Sequence, residues 1–196
     1  MKKLTERLKS LGYEVSHFAT KEEAAAYVAG ECRGKTIGIG GCMTAAQMDL
    51  YAQLEEGSTV YSHAKNGSEA IKLEGTADVY ILSANAIAET GEIVNIDGTC
   101  NRVADAVYGH ERVIYLIGKN KIVPTLEDAI YRARNIASPL NARRLKKQTP
   151  CALTDPPRCH DCSSPDRICR SMSIQMGKTK GIPRVDVVLI DEELGF

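Results

Sequence analysis

Short apolar runs alternate with stretches of helical spacing along most of the chain. Leu4, Leu8 and Leu11 predict a first helix, and Thr20 with Glu23 predicts a capping box that begins a second helix. Runs rich in aliphatic and β-branched residues predict strands at 13–18, 35–39, 79–82, 93–94, 113–117 and 184–190. Strands that alternate with helices predict an α/β fold with a mostly parallel sheet and helices on both faces.

This pattern breaks between residues 149 and 170. The segment holds four cysteines and four prolines but almost no aliphatic side chains. A strong β-branched run follows it at 184–190, so we expect the chain to leave the sheet and then return to it. We therefore predict a single domain over residues 1–196 with a cysteine-rich excursion at 149–170.

Composition narrows the class of protein. Twenty-five basic residues balance twenty-five acidic ones, so no net field favours nucleic acid or an anionic membrane as a partner. No apolar run approaches the length of a membrane span, and the start of the chain lacks the apolar core of a signal peptide. We expect a cytoplasmic protein, in which seven cysteines indicate metal or thiol chemistry rather than disulfides.

The cysteine-rich segment has the features of a metal site. Cys151, Cys159, Cys162 and Cys169 follow the spacing C-x7-C-x2-C-x6-C, and the C-x2-C pair lets two thiolates reach one metal from a tight turn. Prolines stiffen the segment, but its few apolar residues leave it in need of another stabilising group. Four incidental thiols are the alternative. The spacing by itself leaves a structural zinc ion and an iron–sulfur cluster equally open.

A glycine turn follows the strand at 35–39. The candidate ligand-binding residues in this turn are Gly38, Gly40, Gly41, Cys42 and Thr44. The turn matches neither the phosphate-binding loop of nucleotide-hydrolysing proteins nor the dinucleotide-binding fingerprint, but glycines allow backbone N–H groups to approach an anion. We expect a helix after Thr44 and a lowered pKa for Cys42 at its start. An ordinary tight turn is the alternative. No histidine is placed to activate Cys42, so we expect it to contact a ligand rather than act as a nucleophile.

Polar residues crowd the stretch Asp78–Arg102, between and after two apolar runs. The candidate ligand-binding residues there are Asn85, Thr90, Asn95, Asp97 and Asn101, and the candidate catalytic residues are Glu89 and Arg102. Glu89 offers a carboxylate for acid–base chemistry. Arg102 offers a guanidinium group that can bind a carboxylate or phosphate through two hydrogen bonds. Turn formation and helix capping are the alternatives for Asn95, Asp97 and Asn101. His17, His63 and His110 lie in no metal-binding spacing.

Several of these segments resemble the LUD-domain family of lactate-utilisation proteins. The resemblance rests on ANAIAETGEIVNIDGTCNR at 84–102, IGIGGCMT at 37–44, GKNKIV at 118–123, RNIASPLNARRL at 134–145 and the cysteine pattern after Thr149. The last of these resembles a stand-alone subgroup with a cysteine-bearing C-terminus. Relatives more often have serine at Cys42 and tend to have glycine at Cys100.

The resemblance implies a fold similar to ribose-5-phosphate isomerases and CoA transferases, in which the glycine turn holds a carboxylate or phosphate. The motif that contains the catalytic glutamate of CoA transferases has no match in this sequence. It also implies lactate oxidation through iron–sulfur partner proteins, and this favours an iron–sulfur cluster over zinc. We expect a small organic acid or phosphorylated metabolite as the ligand. The alternatives are a non-catalytic accessory or electron-transfer subunit, and an isomerase or transferase that acts on a sugar phosphate or CoA ester.

Overall fold

A computed structural model describes all 196 residues. The strands are β1 (Glu14–Phe18), β2 (Thr36–Ile39), β3 (Thr59–Tyr61), β4 (Val79–Leu82), β5 (Ala86–Ala88), β6 (Ile93–Asp97), β7 (Arg112–Gly118), β8 (Ile122–Val123), β9 (Ser171–Gln175) and β10 (Arg184–Ile190). The helices are α1 (Lys2–Ser10), α2 (Lys21–Glu31), α3 (Met43–Gln47), α4 (Leu50–Glu55), α5 (His63–Asn66), α6 (Ala70–Glu74), α7 (Asn101–Asp105), α8 (Leu126–Arg132), α9 (Ser138–Arg144) and α10 (Pro150–Leu153). A 3₁₀ turn covers Lys119–Lys121, and a π-helical turn at Ala133–Ala137 joins α8 to α9.

The main sheet has six parallel strands in the order β1-β10-β7-β4-β2-β3. Its side chains alternate between two apolar layers, as the neighbours Val113 and Ile114 on β7 show. One layer packs against α2, α3 and α4, and the other packs against α1 and the second sheet. The expected α/β fold with a parallel sheet is therefore confirmed. Because β10 lies between β1 and β7, the chain returns to the interior of this sheet after the cysteine-rich segment.

The second sheet was not expected from the sequence. It has four short strands in the order β8-β5-β6-β9, and β6 pairs antiparallel with both of its neighbours. Ile87 and Ile93 face the main core, whereas Ala86 and Val94 pack against α8. This sheet therefore forms a layer between the main sheet and the helices that lead to the cysteine-rich segment.

Local signals account for several helix starts. Thr20 and Glu23 form the predicted capping box, and the Thr125 side chain accepts a hydrogen bond from Asp128 N at the start of α8. The single helix expected after Thr44 divides into α3 and α4, because Asp49 adopts a left-handed conformation at φ +50°. None of the helices combines the length and the apolar character that a membrane crossing requires.

Candidate functional site

Three neighbouring parallel strands, β2, β4 and β7, end at the same edge of the main sheet. The glycine turn follows β2, residues 83–85 follow β4, and the turn Lys119–Lys121 follows β7. The carboxyl ends of parallel strands are where α/β sheets bind ligands. The candidate site is built from these three connections and from the start of α7.

The glycine turn lies directly against Arg102. A Cβ atom on Gly40 would overlap the Tyr80 hydroxyl and would lie 2.7 Å from Arg102 Cγ, so only glycine fits there. Cys42 caps α3, and its Sγ accepts a hydrogen bond from Ala45 N at 3.4 Å. The lowered pKa that we expected for Cys42 is wrong, since burial raises the pKa of this thiol despite the nearby cations and N–H groups.

A buried lysine at this edge was missed by the sequence analysis. Lys121 Nζ lies 2.8 Å from Ser83 Oγ and 3.1 Å from Thr44 Oγ1, and the residue is only 3% exposed. Burial lowers the pKa of Lys121 to about 8, and the positive charges of Arg132 and Arg102 act in the same direction. The sequence showed a polar corner after the buried strand at 113–117. It did not show that the Lys121 side chain is buried there beside Ser83 and Thr44.

Arg102 is the second cation of the site. Its Nη2 donates to Ile96 O at 2.8 Å, and its Nε lies 3.3 Å from Asp97 Oδ2. The other oxygen of Asp97 accepts hydrogen bonds from backbone N–H groups of the turn, beginning with Gly98 N at 2.7 Å. Asp97 therefore holds both the turn and the Arg102 side chain, while the Nη1 group of Arg102 is left for a ligand.

The turn before α7 also explains a feature of the resemblance. Cys100 caps this helix with φ +69°, in the left-handed region that favours glycine. The glycine that the resemblance leads us to expect at this position would suit the backbone that the structure shows here.

Two adjoining cavities open at Arg102. The smaller, of about 70 Å³, is lined by the glycine turn, Ser83, Asn85, Arg102 and Lys121. The larger, of about 430 Å³, is lined by Gly41, His63, Asn101 and Arg102 among other residues. Its charged lining consists of five cations and two carboxylates: Arg102, Arg144, Lys147, Arg167, Arg170, Asp97 and Asp166. We call this larger space the polar cavity, and its excess of positive charge suits an anionic ligand.

Two asparagines join the polar stretch into one unit. Asn85 Oδ1 accepts from Ile96 N at 2.6 Å, and Asn95 Oδ1 accepts from Asn85 N at 3.2 Å. Asn85 lines both cavities, whereas Asn95 is 1% exposed and lines neither. Asn101 lines the polar cavity, and its buried Nδ2 has no protein partner. Asn85 and Asn101 are therefore placed to bind a ligand, and Asn95 supports the fold around them.

Five predicted residues line neither of these cavities: Asn95, Gly40, Gly38, Glu89 and Thr90. Gly38 lies within β2, where a Cβ atom would clash with the backbone of Glu74, so its role there is close packing. Glu89 and Thr90 are exposed in the turn between β5 and β6. The structure does not bring Glu89 to Arg102, and the two proposed catalytic residues do not share a cavity.

The four cysteines of the excursion do share a cavity. Cys151, Cys159, Cys162 and Cys169 line a space of about 390 Å³, which we call the cysteine cavity. Arg167 donates to the carbonyl oxygens of Cys162 at 2.6 Å and of Cys169 at 2.8 Å. The four cysteines thus line one space, and their role as metal ligands stays a prediction. Burial raises the pKa of Cys169.

The cysteine cavity offers four thiols as donors. No three His, Cys, Asp or Glu side chains lie close enough together to hold one metal ion. Four thiols spaced around a cavity match the ligand set of an iron–sulfur cluster, in which the thiolates bind different iron atoms. The residue types therefore suit the donor chemistry of such a cluster.

The cysteine cavity and the polar cavity adjoin each other. Residues that line both are Ile96, Ser138, Arg167, Ile168 and Arg170. These five residues therefore form a wall that the two cavities share. Sequence reasoning missed the residues of α9 and the arginines of the excursion in this wall, because only the folded chain brings them together.

A comparison with protein families gives one match, to the model of the LUD domain, over residues 1–190. No curated protein matched the chain. Among solved structures, a DUF162 family protein from Deinococcus radiodurans has a TM-score of 0.56 and 16% identity, covering 96% of this chain and 94% of that one. At this identity the likeness shows a shared fold.

Two further structures match with lower scores. Ribose 5 phosphate isomerase A from Neisseria gonorrhoeae has a TM-score of 0.38 and 19% identity, covering 54% of each chain. The eIF2B beta protein from Chaetomium thermophilum has a TM-score of 0.37 and 17% identity, covering 55% of this chain and 44% of that one.

Proposed function

Because the chain belongs to the LUD domain family, which is related to lactate-utilisation proteins, we propose that it acts in organic-acid utilisation. In this proposal, a small lactate-like acid binds at Arg102 and a four-cysteine centre lies next to it. The observation that carries the proposal is the wall of five residues that the polar cavity and the cysteine cavity share. Electron transfer is favoured when the donor and the acceptor lie in neighbouring cavities.

The cations of the sheet edge would bind the carboxylate of the acid. Arg102 is fixed by Ile96 O and Asp97, so its remaining N–H groups are held ready for an anion. Lys121 is fixed by Ser83 and Thr44 and adds a buried positive charge. A bound carboxylate would favour the protonated form of Lys121, because an opposite charge nearby raises the pKa of an amine.

The cysteine cavity would hold an iron–sulfur cluster in this proposal, with zinc as the alternative. Cys151, Cys159, Cys162 and Cys169 would supply the ligands. When bound, the cluster would supply a one-electron acceptor. Arg167 would fix the chain at Cys162 and Cys169 and would place a positive charge between the two cavities.

Anaerobic purification followed by iron, sulfide and zinc analysis tests the metal part of this proposal. We expect a brown protein with iron and acid-labile sulfide, and both should be lost in Cys162→Ser. A colourless protein with one zinc per chain would overturn the iron–sulfur assignment. The matched control is Cys32→Ser, because Cys32 is buried in the main core away from the excursion.

A thermal-shift series with lactate, a sugar phosphate and CoA tests the ligand part. We expect lactate to raise the melting temperature, since ligands that bind only the folded state stabilise it. A shift with the sugar phosphate or CoA, and none with lactate, would favour an isomerase or transferase instead.

A non-catalytic electron-transfer role is the second candidate. The observation that favours it is the partial exposure of Cys159, Cys162 and Cys169, together with the partly exposed Met172 at the same cavity. A cluster there would be accessible to an iron–sulfur partner protein. Reduction of the purified protein by lactate alone would contradict this candidate, whereas reduction that requires a second protein would support it.

A further inference from the structure

His63 lies beside the glycine turn although nothing in its sequence context indicated a role. It begins α5 directly after β3. Its Nε2 lies 3.3 Å from the position that a Cβ atom on Gly41 would occupy, and both residues line the polar cavity. The Nε2 atom has no hydrogen-bond partner in the protein and thus remains available to a ligand.

The other ring nitrogen of His63 is held by a buried carboxylate. Nδ1 lies 2.8 Å from Glu74 Oε1 and 3.1 Å from Oε2, and the Glu74 side chain is fully buried. The backbone N–H of His63 donates to the same carboxylate. Burial raises the pKa of Glu74, while the hydrogen bonds from His63 oppose this effect.

This contact determines the tautomer of His63. A carboxylate that accepts from Nδ1 requires the hydrogen to be on that nitrogen, which leaves the lone pair of neutral imidazole on Nε2. The lone pair then faces the cavity that Arg102 also lines. A carboxylate, an oriented imidazole and an open ligand space are the arrangement of a general base with its positioning residue.

We propose that His63 accepts the hydroxyl proton of a 2-hydroxy acid bound at Arg102, and that Glu74 is its positioning residue. In this step the O–H bond of the ligand breaks and its electron pair stays on the ligand oxygen, while an N–H bond forms at Nε2. Arg102 stabilises the negative charge that develops in the cavity, and the Glu74 carboxylate stabilises the imidazolium. The inference rests on the proposed ligand class and assigns the acid–base role that the sequence had placed on Glu89.

The chain provides matched variants for this proposal. His63→Asn keeps a side-chain N–H for the buried Glu74 but removes the atom that faces the cavity. Glu74→Gln keeps the shape of the positioning residue and removes its charge. His17 and Asp191 form a similar pair at 2.9 Å, but both are exposed and outside the cavities, so His17→Asn is the control.

The test is a long-range ¹H–¹⁵N spectrum of protein labelled at its four histidines, at about pH 8 where unperturbed imidazole is neutral. We expect the His63 signals, identified by their loss in His63→Asn, to report the Nδ1–H tautomer. Glu74→Gln should shift them toward the Nε2–H form. An Nε2–H tautomer in the wild-type protein would overturn the proposal.

Ligand binding provides the second readout. Lactate should move the His63 Nε2 resonance, whereas propionate, which lacks the hydroxyl, should not. Wild-type protein should bind lactate roughly tenfold more tightly than propionate, and His63→Asn should lose this preference. Binding of lactate with Nε2 unmoved would overturn the His63 role alone. If neither acid binds, the proposed ligand and the His63 role both fail.

Discussion

The polar cavity and the cysteine cavity adjoin each other but are held in different ways. The first lies at the ends of β2, β4 and β7, above two extensive layers of buried aliphatic side chains. Its charged groups are fixed by short contacts, such as those of Lys121 with Ser83 and of Arg102 with Ile96 O. The fold alone therefore fixes the positions of these charged groups.

The cysteine-rich segment has much less to hold it. Its only helix is α10, of four residues, and its apolar cluster consists of Ala142, Cys151 and Ala152 with Ile168 packed against them. Arginine side chains add hydrogen bonds to backbone carbonyls, such as Arg143 to Ala152 O at 3.1 Å. The difference indicates that the sheet preorganises the polar cavity, whereas a bound metal centre would stabilise the segment around the cysteines.

Replacing two of the cysteines that are proposed to bind the metal should have the largest effect. It should change the cysteine-rich segment and leave the polar cavity intact. In Cys159→Ser/Cys162→Ser we expect metal content to fall to near zero and residues 149–170 to open. Trypsin should then cut at Arg158 and Arg167 while the rest of the chain stays folded. Limited proteolysis followed by mass spectrometry measures this. Equal protection of the segment in the variant would show that the arginine bonds alone hold it.

Arg102→Ala should weaken the polar cavity but not the cysteine cavity. The change removes a cation at the ligand and leaves Asp97, which is 8% exposed, without its charged neighbour. We expect lactate binding to weaken by roughly 10–100-fold and stability to fall by about 1–3 kcal/mol. Calorimetric titration and chemical denaturation measure the two effects. Arg102→Lys keeps the charge but loses the paired N–H donors of the guanidinium group. Its lactate affinity should therefore lie between those of the wild type and Arg102→Ala. Unchanged lactate binding in the alanine variant would refute the assignment of Arg102.

Lys121→Met should reveal the buried charge through the pH dependence of the unfolding free energy. The folded pKa of about 8 lies below the ordinary value of 10.5, so the unfolded state binds more protons between these two values. The unfolding free energy of the wild type should therefore rise relative to the variant from about pH 8 to about pH 10.5, by up to ~3 kcal/mol, and the difference should be flat below that range. Denaturant unfolding at several pH values checks this. A difference that is flat throughout would mean that Lys121 titrates normally.

Glu89→Gln should have the smallest effect. The side chain is exposed and lines none of the three cavities, so we expect stability to change by less than about 0.5 kcal/mol and lactate binding to stay the same. Thermal shifts with and without lactate measure both. A clear loss of binding would return Glu89 to the site and would contradict the cavity assignment.

Local sequence signals were sufficient for much of the fold. The Thr20 capping box, β7 and β10 follow from side-chain pattern and hydrogen-bond chemistry between near neighbours. The second sheet was missed because strands such as β5, of three residues, are too short to show a periodic pattern. Their pairing depends on partners that are distant in the sequence.

The same distinction applies to the site. The glycine turn, Arg102 and the cysteines were found because each has a local chemical signature. Lys121 and His63 were missed because their importance depends on Ser83, Thr44 and Glu74, which only the folded chain brings to them. Glu89 shows the opposite case, since it belongs to a recognisable signature but is exposed and lines none of the three cavities.

The electron paramagnetic resonance spectrum of the reduced protein, with and without lactate, tests most directly whether the two cavities work together. We expect an iron–sulfur signal that lactate changes in the wild-type protein and leaves unchanged in Arg102→Ala. An iron–sulfur signal that lactate does not alter, although lactate raises the melting temperature, would contradict a shared function for the adjoining cavities.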